Sequence, residues 1–416
     1  MADTNDKLKL AVDITFLQDQ YASRGIGRYG KEIVSRLVSQ AAAGNLDLYL
    51  LGFGELETNL RLLEVEANPG VYFHTLGPAS LSRPTTNFRL YFHTIRPLVE
   101  EVRPDIYFAV HFDRGLPSDI LTTAVTIHDA IPLATGKFSS QGSFINFVKG
   151  LFYKFMWQRV RDAKIVFTSS EFSKQDLIKY GKLKADQIKV IYLGIADYFK
   201  RENISTQQKV IDAVLGKYGL LDAKSDTLPY MIYDSGLEQN KNIPALLEIF
   251  AKLASRMQDL KLVMTGGDFA WEHGKPVAVN ERSREALQTA ARLGVAERIV
   301  PTGKVSEHDL VILTSEAKQY INMSGYEGFG FGPLQTMAAG VPAIVSNKGS
   351  FPEIVGEAAI IVDPDEPSKA AAQIIEALSN EQKIQELISQ GYVHAAKFNW
   401  DETFKQMWES LVNLNK

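Results

Sequence analysis

The sequence predicts an α/β protein of two domains, each built around a parallel β-sheet. The chain has 416 residues, which is more than one ordinary hydrophobic core accommodates. Short apolar runs alternate with helical patterns along almost the whole length, as in β-α units that form parallel sheets. A polar and charged stretch over residues 196–228 interrupts this alternation and contains the predicted domain boundary.

Each predicted strand is a short apolar run, and each predicted helix shows apolar residues on one face. The strands are predicted at 8–16, 46–51, 105–110, 124–128, 164–169, 189–193, 230–233, 261–265, 299–302, 319–323, 343–346 and 359–362. The helices are predicted at 27–39, 87–102, 143–162, 170–180, 208–218, 243–255 and 282–293. A last helical stripe over 400–414 has no place in the second sheet.

Composition excludes several functional classes. The hydrophobic fraction of 45% and the charged fraction of 23% are those of a soluble globular protein, and a net charge of −4 gives no global attraction to nucleic acid. The absence of cysteine excludes disulfides and thiolate metal sites and favours a cytoplasmic location. The N-terminus lacks a signal-peptide pattern, and no apolar run of about 18 residues predicts a transmembrane helix.

The segment GYEGFGFGPLQTMAAGVPAIVSNKGSFPEIVGEAAIIVD, which begins at Gly325, is the most informative stretch of the chain. It reads as a glutamate, Glu327, beside a glycine-rich turn, followed by a helix, a strand, a second turn and another strand. Glycines let a backbone approach a ligand closely, and the amides at the start of the following helix suit a phosphate. A glycine-rich β-α turn with one exposed glutamate is the alternative interpretation.

This segment resembles the donor site of glycosyltransferase family 4, the retaining group 1 glycosyltransferases, which carry E-G-F-G-x-x-x-x-E-A-M-A-x-G-x-P here. The first carboxylate is Glu327, whereas Gln335 stands where the family has its second glutamate. The resemblance implies that Glu327 lies beside the donor sugar and that Gln335 contacts the ribose. It places the backbone near the sugar and the diphosphate at Gly328, Phe329, Gly330, Phe331 and Gly332.

Lys241 lies in YDSGLEQNKN, in a turn between a predicted strand and a predicted helix. A lysine in such a turn can neutralise a leaving diphosphate, although a solvated surface lysine is the alternative. Family members often have an arginine at the position of Gly236, so one positive charge is missing here. Arg24 or Arg28 is a candidate substitute, and weaker binding is the other outcome.

Gly25, Gly27 and Gly30 match G-x-G-x-x-G, which by itself suggests dinucleotide binding and a third hypothesis, an NAD-dependent oxidoreductase. That fingerprint needs its first glycine directly after the strand, and here residues 15–24 intervene. The segment resembles instead the G-I-G-R-Y loop of family 4, which implies contact with the donor diphosphate.

His128 and Asp129 end the predicted strand AVTIHD and precede AIP, matching the family pattern T-x-H-D-x-I-P. The resemblance implies that His128 points at the donor sugar. Asp129 is a candidate acceptor ligand, an orienting group for His128 or a cap of the next turn. The serines of SSEFSK, which begins at Ser169, are read as helix caps.

Two further turns are weaker candidates for donor contact. Glu353 in SFPEIVG matches the family's P-E-V/I-V-G and either binds the donor or fixes the loop. Gly266, in LVMTGGDF, ends a strand where the nucleotide base lies in the family. Asp363 and Asp365 form a D-x-D pattern, but its late position predicts no metal.

The resemblance implies the GT-B fold, with two Rossmann-like domains facing across a cleft. Residues 1–205 are predicted as the N-terminal, acceptor-side domain, with the helix 400–416 packing back on it, and 206–399 as the C-terminal nucleotide-sugar domain. The implied activity is metal-independent hexosyl transfer without a cofactor. The first choice is mannose from GDP-mannose, with a UDP-sugar nearly as favoured. A saccharide or lipid-linked saccharide of a surface polysaccharide is the expected acceptor.

Two alternatives remain open at this stage. Gly236 and Gln335 motivate a non-catalytic binding or partner subunit on the same fold. The basic, aromatic stretch over 147–164 indicates either peripheral contact with the inner face of a membrane or a core helix with solvated cationic ends.

Overall fold

The computed structural model describes residues 7–18, 22, 25–78, 91–111, 116–134, 154–272 and 275–415. The chain divides into two compact units. The first comprises Met1–Gly194 and Trp400–Lys416, and the second comprises Ile195–Asn399.

A seven-stranded parallel sheet forms the centre of the first unit. Its strands are β1 (Leu8–Asp13), β2 (Leu46–Gly52), β3 (Val71–Thr75), β4 (Ile106–Ala109), β5 (Thr123–Thr126), β6 (Ile165–Thr168) and β7 (Ile188–Val190). They lie in the order β3-β2-β1-β4-β5-β6-β7, so the progression reverses between β1 and β4. The helices are Gly25–Ala42, Leu56–Leu63, Arg96–Val102, Ile131–Ala134 and Glu171–Lys179, and residues 154–162 are also helical.

The second unit repeats this plan with a six-stranded parallel sheet. The strands of the unit are β8 (Tyr230–Tyr233), β9 (Lys261–Thr265), β10 (Phe269–Glu272), β11 (Lys275–Ala278), β12 (Ile299–Gly303), β13 (Gln319–Asn322), β14 (Ala343–Ser346) and β15 (Ile360–Val362). The sheet order is β12-β9-β8-β13-β14-β15, and β10 and β11 form a separate antiparallel hairpin. The helices are Gln208–Lys217, Ile243–Ala254, Glu281–Arg292, Glu307–Ser315, Phe331–Ala338, Phe351–Val355, Pro367–Leu378 and Glu381–Ala395.

Burial on both faces explains why these strands read as continuous apolar runs. All four residues of β8 and of β14 are buried, as expected where helices cover both faces of a parallel sheet. The helix Ile243–Ala254 begins with Pro244 at a first-turn position, where proline's missing N–H costs nothing. It buries Leu246, Phe250 and Leu253 against the sheet.

In both sheets the strand order reverses at an internal pair, β1/β4 in the first and β8/β13 in the second. In open parallel sheets, ligands bind beyond the carboxyl ends of the strands at such a reversal. The turns that follow β8 and β13 therefore define the first place to look for a ligand site.

Several elements differ from the sequence-based expectation. The strand β3, the hairpin β10–β11 and the helix Leu56–Leu63 were not predicted. β3 is an edge strand whose residues are only partly buried, so its sequence VYFHT lacks a continuous apolar run. The predicted helices 87–102 and 143–162 lie partly outside the described residues. The first of them begins, where described, with a π-helical turn at Tyr91–Ile95.

The units meet along the chain at Gly194 and Ile195, whereas polarity places the predicted boundary after residue 205. Ala196 and Phe199 lie within the polar stretch, yet they are buried against Val311 of the second unit's own core. The burial of these two apolar residues in the second unit explains why residues 195–205 belong to that unit.

The last helix, Trp400–Leu414, belongs to the first unit, as its lack of a place in the second sheet suggested. Lys189 Nζ donates to Ser410 Oγ at 2.6 Å, and Thr403 Oγ1 donates to the Tyr192 carbonyl at 2.8 Å. The chain thus enters the first unit twice, at its beginning and at its end.

The helical residues 154–162 pack largely as a core helix. Met156, Trp157 and Val160 are buried in the first unit's core, and Arg159 pairs with Asp119 at 3.3 Å. Residues 147–153 of the basic, aromatic stretch lie outside the described residues. Among the helices that are described, none has both the length and the apolar character needed to cross a bilayer.

Candidate active site

The turns after β8 and β13 meet through a buried ion pair. Lys241 Nζ lies 2.7 Å from Glu327 Oε1, and each side chain is only 15% exposed. The two residues are far apart in sequence, and the adjacency of β8 and β13 brings them together. The second unit therefore presents this lysine–glutamate pair at the reversal of its sheet.

The turn that carries Lys241 is fixed by backbone hydrogen bonds. The Lys241 amide donates to the Glu238 carbonyl at 2.8 Å, and the Gly325 amide donates to the Asn240 carbonyl at 2.8 Å. The Asn240 side chain also donates to the Tyr326 carbonyl at 3.0 Å. These bonds join the lysine turn to the glutamate turn, so the ion pair is held by its backbone.

The glycine-rich turn leads directly into the helix Phe331–Ala338. Gly330 precedes this helix with a φ of 102° and, being a glycine, has no side chain with which to cap the helix start. At Gly332, a Cβ atom would collide with the Tyr320 hydroxyl and with Asp234 Oδ1. Glycine at these positions therefore allows the helix start to lie against the ends of β8 and β13, where its amides suit an anion.

The loop after β14 closes over the backbone of Glu327. Gly349 has a φ of 63°, and a Cβ there would lie 2.6 Å from the Glu327 amide nitrogen. The Ser350 amide donates to the Glu327 carbonyl at 3.2 Å, and Ser350 Oγ donates to the Phe329 carbonyl at 2.8 Å. Glu353 follows in the first turn of the helix Phe351–Val355 and is partly buried.

Gln335 lies on the helix Phe331–Ala338 and is 3% exposed. Its Nε2 atom is buried and donates no hydrogen bond within the described protein. A buried amide without a partner costs free energy, so this nitrogen is available to an oxygen acceptor that enters the site.

Gly236 occupies a crowded place in the lysine turn. A Cβ atom at this position would collide with the carboxylate of Glu238. The Tyr233 hydroxyl donates to the Gly236 carbonyl at 2.5 Å, and the next amide, Leu237, donates to Asp268 Oδ2 at 2.9 Å. The Glu238 carboxylate thus occupies the space that a side chain at position 236 would need.

Gly266 adds the turn after β9 to the same edge of the sheet. Its φ is 135°, and a Cβ atom there would lie 3.2 Å from the Ser235 carbonyl oxygen. Its amide donates to the Gly303 carbonyl at 3.0 Å. The close approach of two backbone turns leaves no room for a side chain at this position.

Carboxylates hold Lys241 in its charged form. Burial alone lowers the pKa of Lys241, but Glu327, Glu238 and Asp234 together leave that pKa raised above its ordinary value. The ammonium group is therefore a permanent cation at neutral pH, surrounded by several negative charges.

His128 is packed within the first unit. Its ring meets the Tyr29 ring edge-on at 4.7 Å, and its Nε2 atom is buried without a hydrogen-bond partner. Ser173 Oγ and Ser169 Oγ both donate to its main-chain carbonyl, at 2.9 and 3.2 Å. A small cavity beside the ring is lined partly by Thr168 and, from the last helix, Met407.

His128 is partly buried and is held neutral by the loss of solvation. Loss of solvation, together with a smaller effect of the neighbouring His111, lowers its pKa to about 3. The neutral imidazole supplies no positive charge at physiological pH.

The remaining candidates of the first unit that the structure describes are Gly25, Gly27 and Asp129. Gly25 and Gly27 are among the first residues of the helix Gly25–Ala42, well beyond the end of β1 at Asp13. Asp129 Oδ1 accepts the Ile131 amide at 2.9 Å, which is the turn-capping arrangement. Arg24 lies outside the described residues.

Ser170 was read from the sequence as a helix cap, and the structure confirms it. Its side chain accepts the Ser173 amide at the start of the helix Glu171–Lys179. This serine therefore belongs to the scaffold.

The predicted site residues thus fall into two groups. The second unit brings together the following residues at one edge of its sheet: Lys241, Glu327, Gly236, Gly266, Gly328, Phe329, Gly330, Phe331, Gly332, Gln335 and Glu353. The first unit holds the other group: His128, Asp129, Gly25 and Gly27.

Sequence reasoning missed three residues that shape these groups. Glu238 is three positions before Lys241, and Tyr29 lies inside the glycine motif of the first unit, so both were within recognised segments. Asp268 directly follows the paired glycines and braces two turns, accepting from Leu237 N at 2.9 Å and from Asn280 Nδ2 at 2.7 Å. No local pattern identifies these contacts.

Among the described residues, no group of three or more histidine or acidic side chains has an arrangement that could hold a metal ion. The D-x-D pattern of Asp363 and Asp365, which the sequence analysis considered as a metal motif, forms ion pairs with a lysine. Lys348 Nζ lies 3.2 Å from Asp363 Oδ1 and 2.7 Å from Asp365 Oδ2.

Comparison with known proteins shows similarity to glycosyltransferases. Residues 222–394 match the family model of glycosyl transferases group 1, a range that contains the whole second-unit group. The O-antigen chain mannosyltransferase B of Escherichia coli is 25% identical over 93% of this chain and 95% of its own length. The serotype-specific mannosyltransferase WbdA of the same species is 22% identical over 98% of this chain, which spans about half (48%) of WbdA.

Solved structures show the same fold at low identity. A glycosyltransferase from Rickettsia africae superposes with a TM-score of 0.70 at 17% identity, covering 99% of each chain. Anabaena HepE, crystallised with UDP-glucose, superposes with a TM-score of 0.70 at 16% identity, covering 98% of this chain and all of its own. The chain therefore has the GT-B fold with two parallel-sheet units, and its sequence is similar to those of group 1 glycosyltransferases, mannosyltransferases among them.

Proposed function

We propose that this glycosyltransferase is a retaining, metal-independent mannosyltransferase that moves mannose from GDP-mannose to a hydroxyl of a saccharide or lipid-linked saccharide. The observation that carries the proposal is the Lys241–Glu327 pair beside the glycine-rich start of the helix Phe331–Ala338. The choice of mannose is supported by relatives that are named as mannosyltransferases. It is also supported by the resemblance of the HDAIP and EGFG segments to such enzymes.

In this proposal, Lys241 stabilises the diphosphate as it leaves. The lysine is already a permanent cation, and among the described residues Glu327 holds it in a direct ion pair. An entering phosphate group offers the ammonium a second anionic partner, while the amides at the helix start offer further donors. These groups supply the charge stabilisation that a metal ion supplies in other transferases.

Glu327 is proposed to lie beside the donor sugar. Its backbone is held by Ser350 and the close approach of Gly349, so its carboxylate is positioned before any ligand binds. Gln335 is proposed to use its unpartnered Nε2 as a donor to a ribose hydroxyl oxygen. Backbone groups at Gly236, Gly266 and Gly328 complete the proposed donor surface.

Retention is proposed to follow from attack of the acceptor hydroxyl on the face that the diphosphate leaves. The leaving phosphate then accepts the hydroxyl proton, so no second carboxylate is required. His128 is proposed to contribute as a neutral positioning group, since its pKa of about 3 excludes a cationic role. Asp129 is proposed to contribute to acceptor binding, in addition to capping its turn.

The proposed location is the cytoplasm or the inner face of a membrane, where both nucleotide sugars and lipid-linked acceptors are available. The proposal of peripheral membrane contact rests on the basic and aromatic composition of residues 147–164. The buried side chains of residues 154–162 limit the part of that stretch that is free to touch lipid.

The test begins with calorimetric titration of the full chain with GDP, UDP, ADP, dTDP and NAD, each with EDTA and with Mg²⁺. The proposal expects binding of GDP that EDTA leaves unchanged. Binding of UDP alone would move the donor to a UDP-sugar, and binding only with Mg²⁺ would overturn metal independence. NAD is expected not to bind.

Turnover is then measured with GDP-mannose and a mannose-terminated oligosaccharide, and the anomeric configuration of the product is read by NMR. An α product from the α-linked donor is expected, and an inverted product would overturn retention. Nucleotide binding without any transfer would favour the second candidate, a non-catalytic partner subunit, which the uncharged Gln335 and Gly236 also favour.

A further inference from the structure

Glu238 places a second carboxylate beside the lysine of the proposed donor site. Its carboxylate occupies the position into which a side chain at Gly236 would project. Its charge also acts on Lys241, since it is one of the three carboxylates that raise the pKa of the ammonium group.

The turn that carries Glu238 is braced, so this placement is built into the local fold. The Glu238 carbonyl accepts the Lys241 amide at 2.8 Å. The preceding residues are tied by Tyr233 Oη at 2.5 Å from the Gly236 carbonyl and by Asp268 at 2.9 Å from the Leu237 amide. Moving the carboxylate away would require either a change of its rotamer or disruption of a turn with three anchors.

Three carboxylates of the described residues act on the Lys241 ammonium group. One ammonium group faces the carboxylates of Glu327, Glu238 and Asp234, and Glu327 already forms its direct ion pair. Asp234 is tied into the sheet end, because its carboxylate and the Tyr320 hydroxyl both lie against Gly332. Glu238 is thus the carboxylate whose removal changes the local charge without removing the ion pair or the support of the helix.

We propose that Glu238 weakens binding of the diphosphate group at Lys241, and that it weakens binding of the released nucleoside diphosphate more than binding of the nucleotide sugar. This inference rests on the proposed function, because it assumes that Lys241 meets a diphosphate. The released product carries close to one additional negative charge, since a terminal phosphate titrates with a pKa of about 6. A fixed carboxylate repels the more highly charged ligand more strongly.

The consequence is faster exchange of product for donor. A site with more positive charge would bind the nucleoside diphosphate product more tightly than the nucleotide sugar. The retained product would then inhibit the enzyme. The carboxylate of Glu238 lowers the affinity for the product, while Lys241 and the helix amides still stabilise the leaving diphosphate.

The test compares Glu238→Gln with the wild-type full chain. Calorimetric titration with GDP and UDP is performed at low and at high ionic strength, with guanosine and uridine as ligands that lack phosphate. We expect the variant to bind the nucleoside diphosphate more tightly by a factor on the order of ten at low salt. The gain should shrink at high salt because screening weakens the repulsion, and nucleoside affinity should stay unchanged.

Glu248→Gln is the matched control, since Glu248 is an exposed glutamate on the helix Ile243–Ala254 that follows the same turn. It removes the same charge and should leave nucleotide affinity unchanged. Glu238→Ala is measured as well, and thermal melts without ligand check that each variant folds. If Glu238→Gln does not fold, the nucleotide affinities of Glu238→Ala are compared with those of the wild type.

A second measurement separates product from donor. The ratio of the inhibition constant of the nucleoside diphosphate to the KM of the nucleotide sugar should fall in Glu238→Gln, because the product gains more affinity. Unchanged or weaker diphosphate binding by both variants would overturn the inference and leave the proposed function standing. Failure of the wild-type chain to bind any nucleoside diphosphate would overturn the proposed function and this inference with it.

Discussion

The two units share a sheet plan, yet the ends of their central strands carry opposite kinds of chemistry. In the second unit, Lys241 and Glu327 form a charged pair in which each side chain keeps 15% of its surface exposed. In the first unit, the ring of His128 is neutral and packed against Tyr29, with its Nε2 buried. Both groups follow a strand of a parallel Rossmann-like sheet.

The difference shows that the position of a motif residue does not by itself define its chemistry. A strand end becomes a ligand site where charged groups stay partly exposed and are held by neighbouring turns. In the first unit, the His128 ring packs against Tyr29, and Met407 of the last helix lines the cavity beside it, so this position offers a neutral, packed group in place of a charged pair. The predictions below test this contrast in order of decreasing expected effect.

The largest effect is expected from Lys241→Ala. The substitution removes the cation and leaves Glu327 buried without its partner, so we expect kcat/KM to fall by about 10²–10³. Lys304→Ala is the control, since Lys304 is exposed in the same unit and carries the same charge. An activity loss of less than threefold in steady-state assays would contradict the proposed role of the charged pair.

Gly349→Ala tests whether the loop after β14 positions Glu327. The added Cβ would lie 2.6 Å from the Glu327 amide nitrogen in a left-handed backbone conformation. We expect a loss of about 1–2 kcal/mol from the conformation and about 1–3 kcal/mol more from the contact.

Gly294→Ala is the matched control for that experiment. Gly294 has a similar φ of 73°, but a Cβ there meets nothing within 4 Å, so only the conformational cost applies. Urea unfolding measures both variants, and equal losses would show that the contact with Glu327 carries no weight.

His128 should make the first unit sensitive to mild acid. Its pKa is lowered in the folded state, so the unfolded chain binds more protons between the folded value of about 3 and the ordinary value of 6.5. Stability therefore falls as pH drops below about 6.5, by about 2 kcal/mol on reaching pH 5.

His128→Gln should remove this part of the pH dependence, and melts between pH 5 and 8 measure it. His93→Gln is the control, because His93 is an exposed histidine of the same unit. A pH dependence that is unchanged in His128→Gln would show that the imidazole is hydrated or paired when the protein is folded.

The smallest effect is expected from Tyr29→Phe. The Tyr29 hydroxyl lies 2.7 Å from Thr126 Oγ1 and donates to Met407 Sδ at 3.7 Å, so it links β5 to the last helix. Its loss should cost about 1 kcal/mol of unfolding free energy. Thr126→Val in a double-mutant cycle with Tyr29→Phe should show coupling, and additive effects would contradict the bond.

Much of the second unit was readable from the chain alone. The strands β8, β9 and β14 were predicted with the bounds that the structure shows, because buried parallel strands appear as unbroken apolar runs. The edge strand β3 was missed because partial exposure mixes polar residues into its sequence. The unit boundary was misplaced because polarity concealed the buried Phe199.

The sequence by itself determined the α/β class, the family resemblance and the residue types of the donor motif, since these depend on local patterns. Only the tertiary structure decided that Lys241 pairs with Glu327, that Glu238 fills the space beside Gly236 and that His128 is partly buried and neutral. Burial and long-range contacts set these properties. They arise from how strands and turns that are distant in the chain pack together, and no short stretch of sequence encodes them.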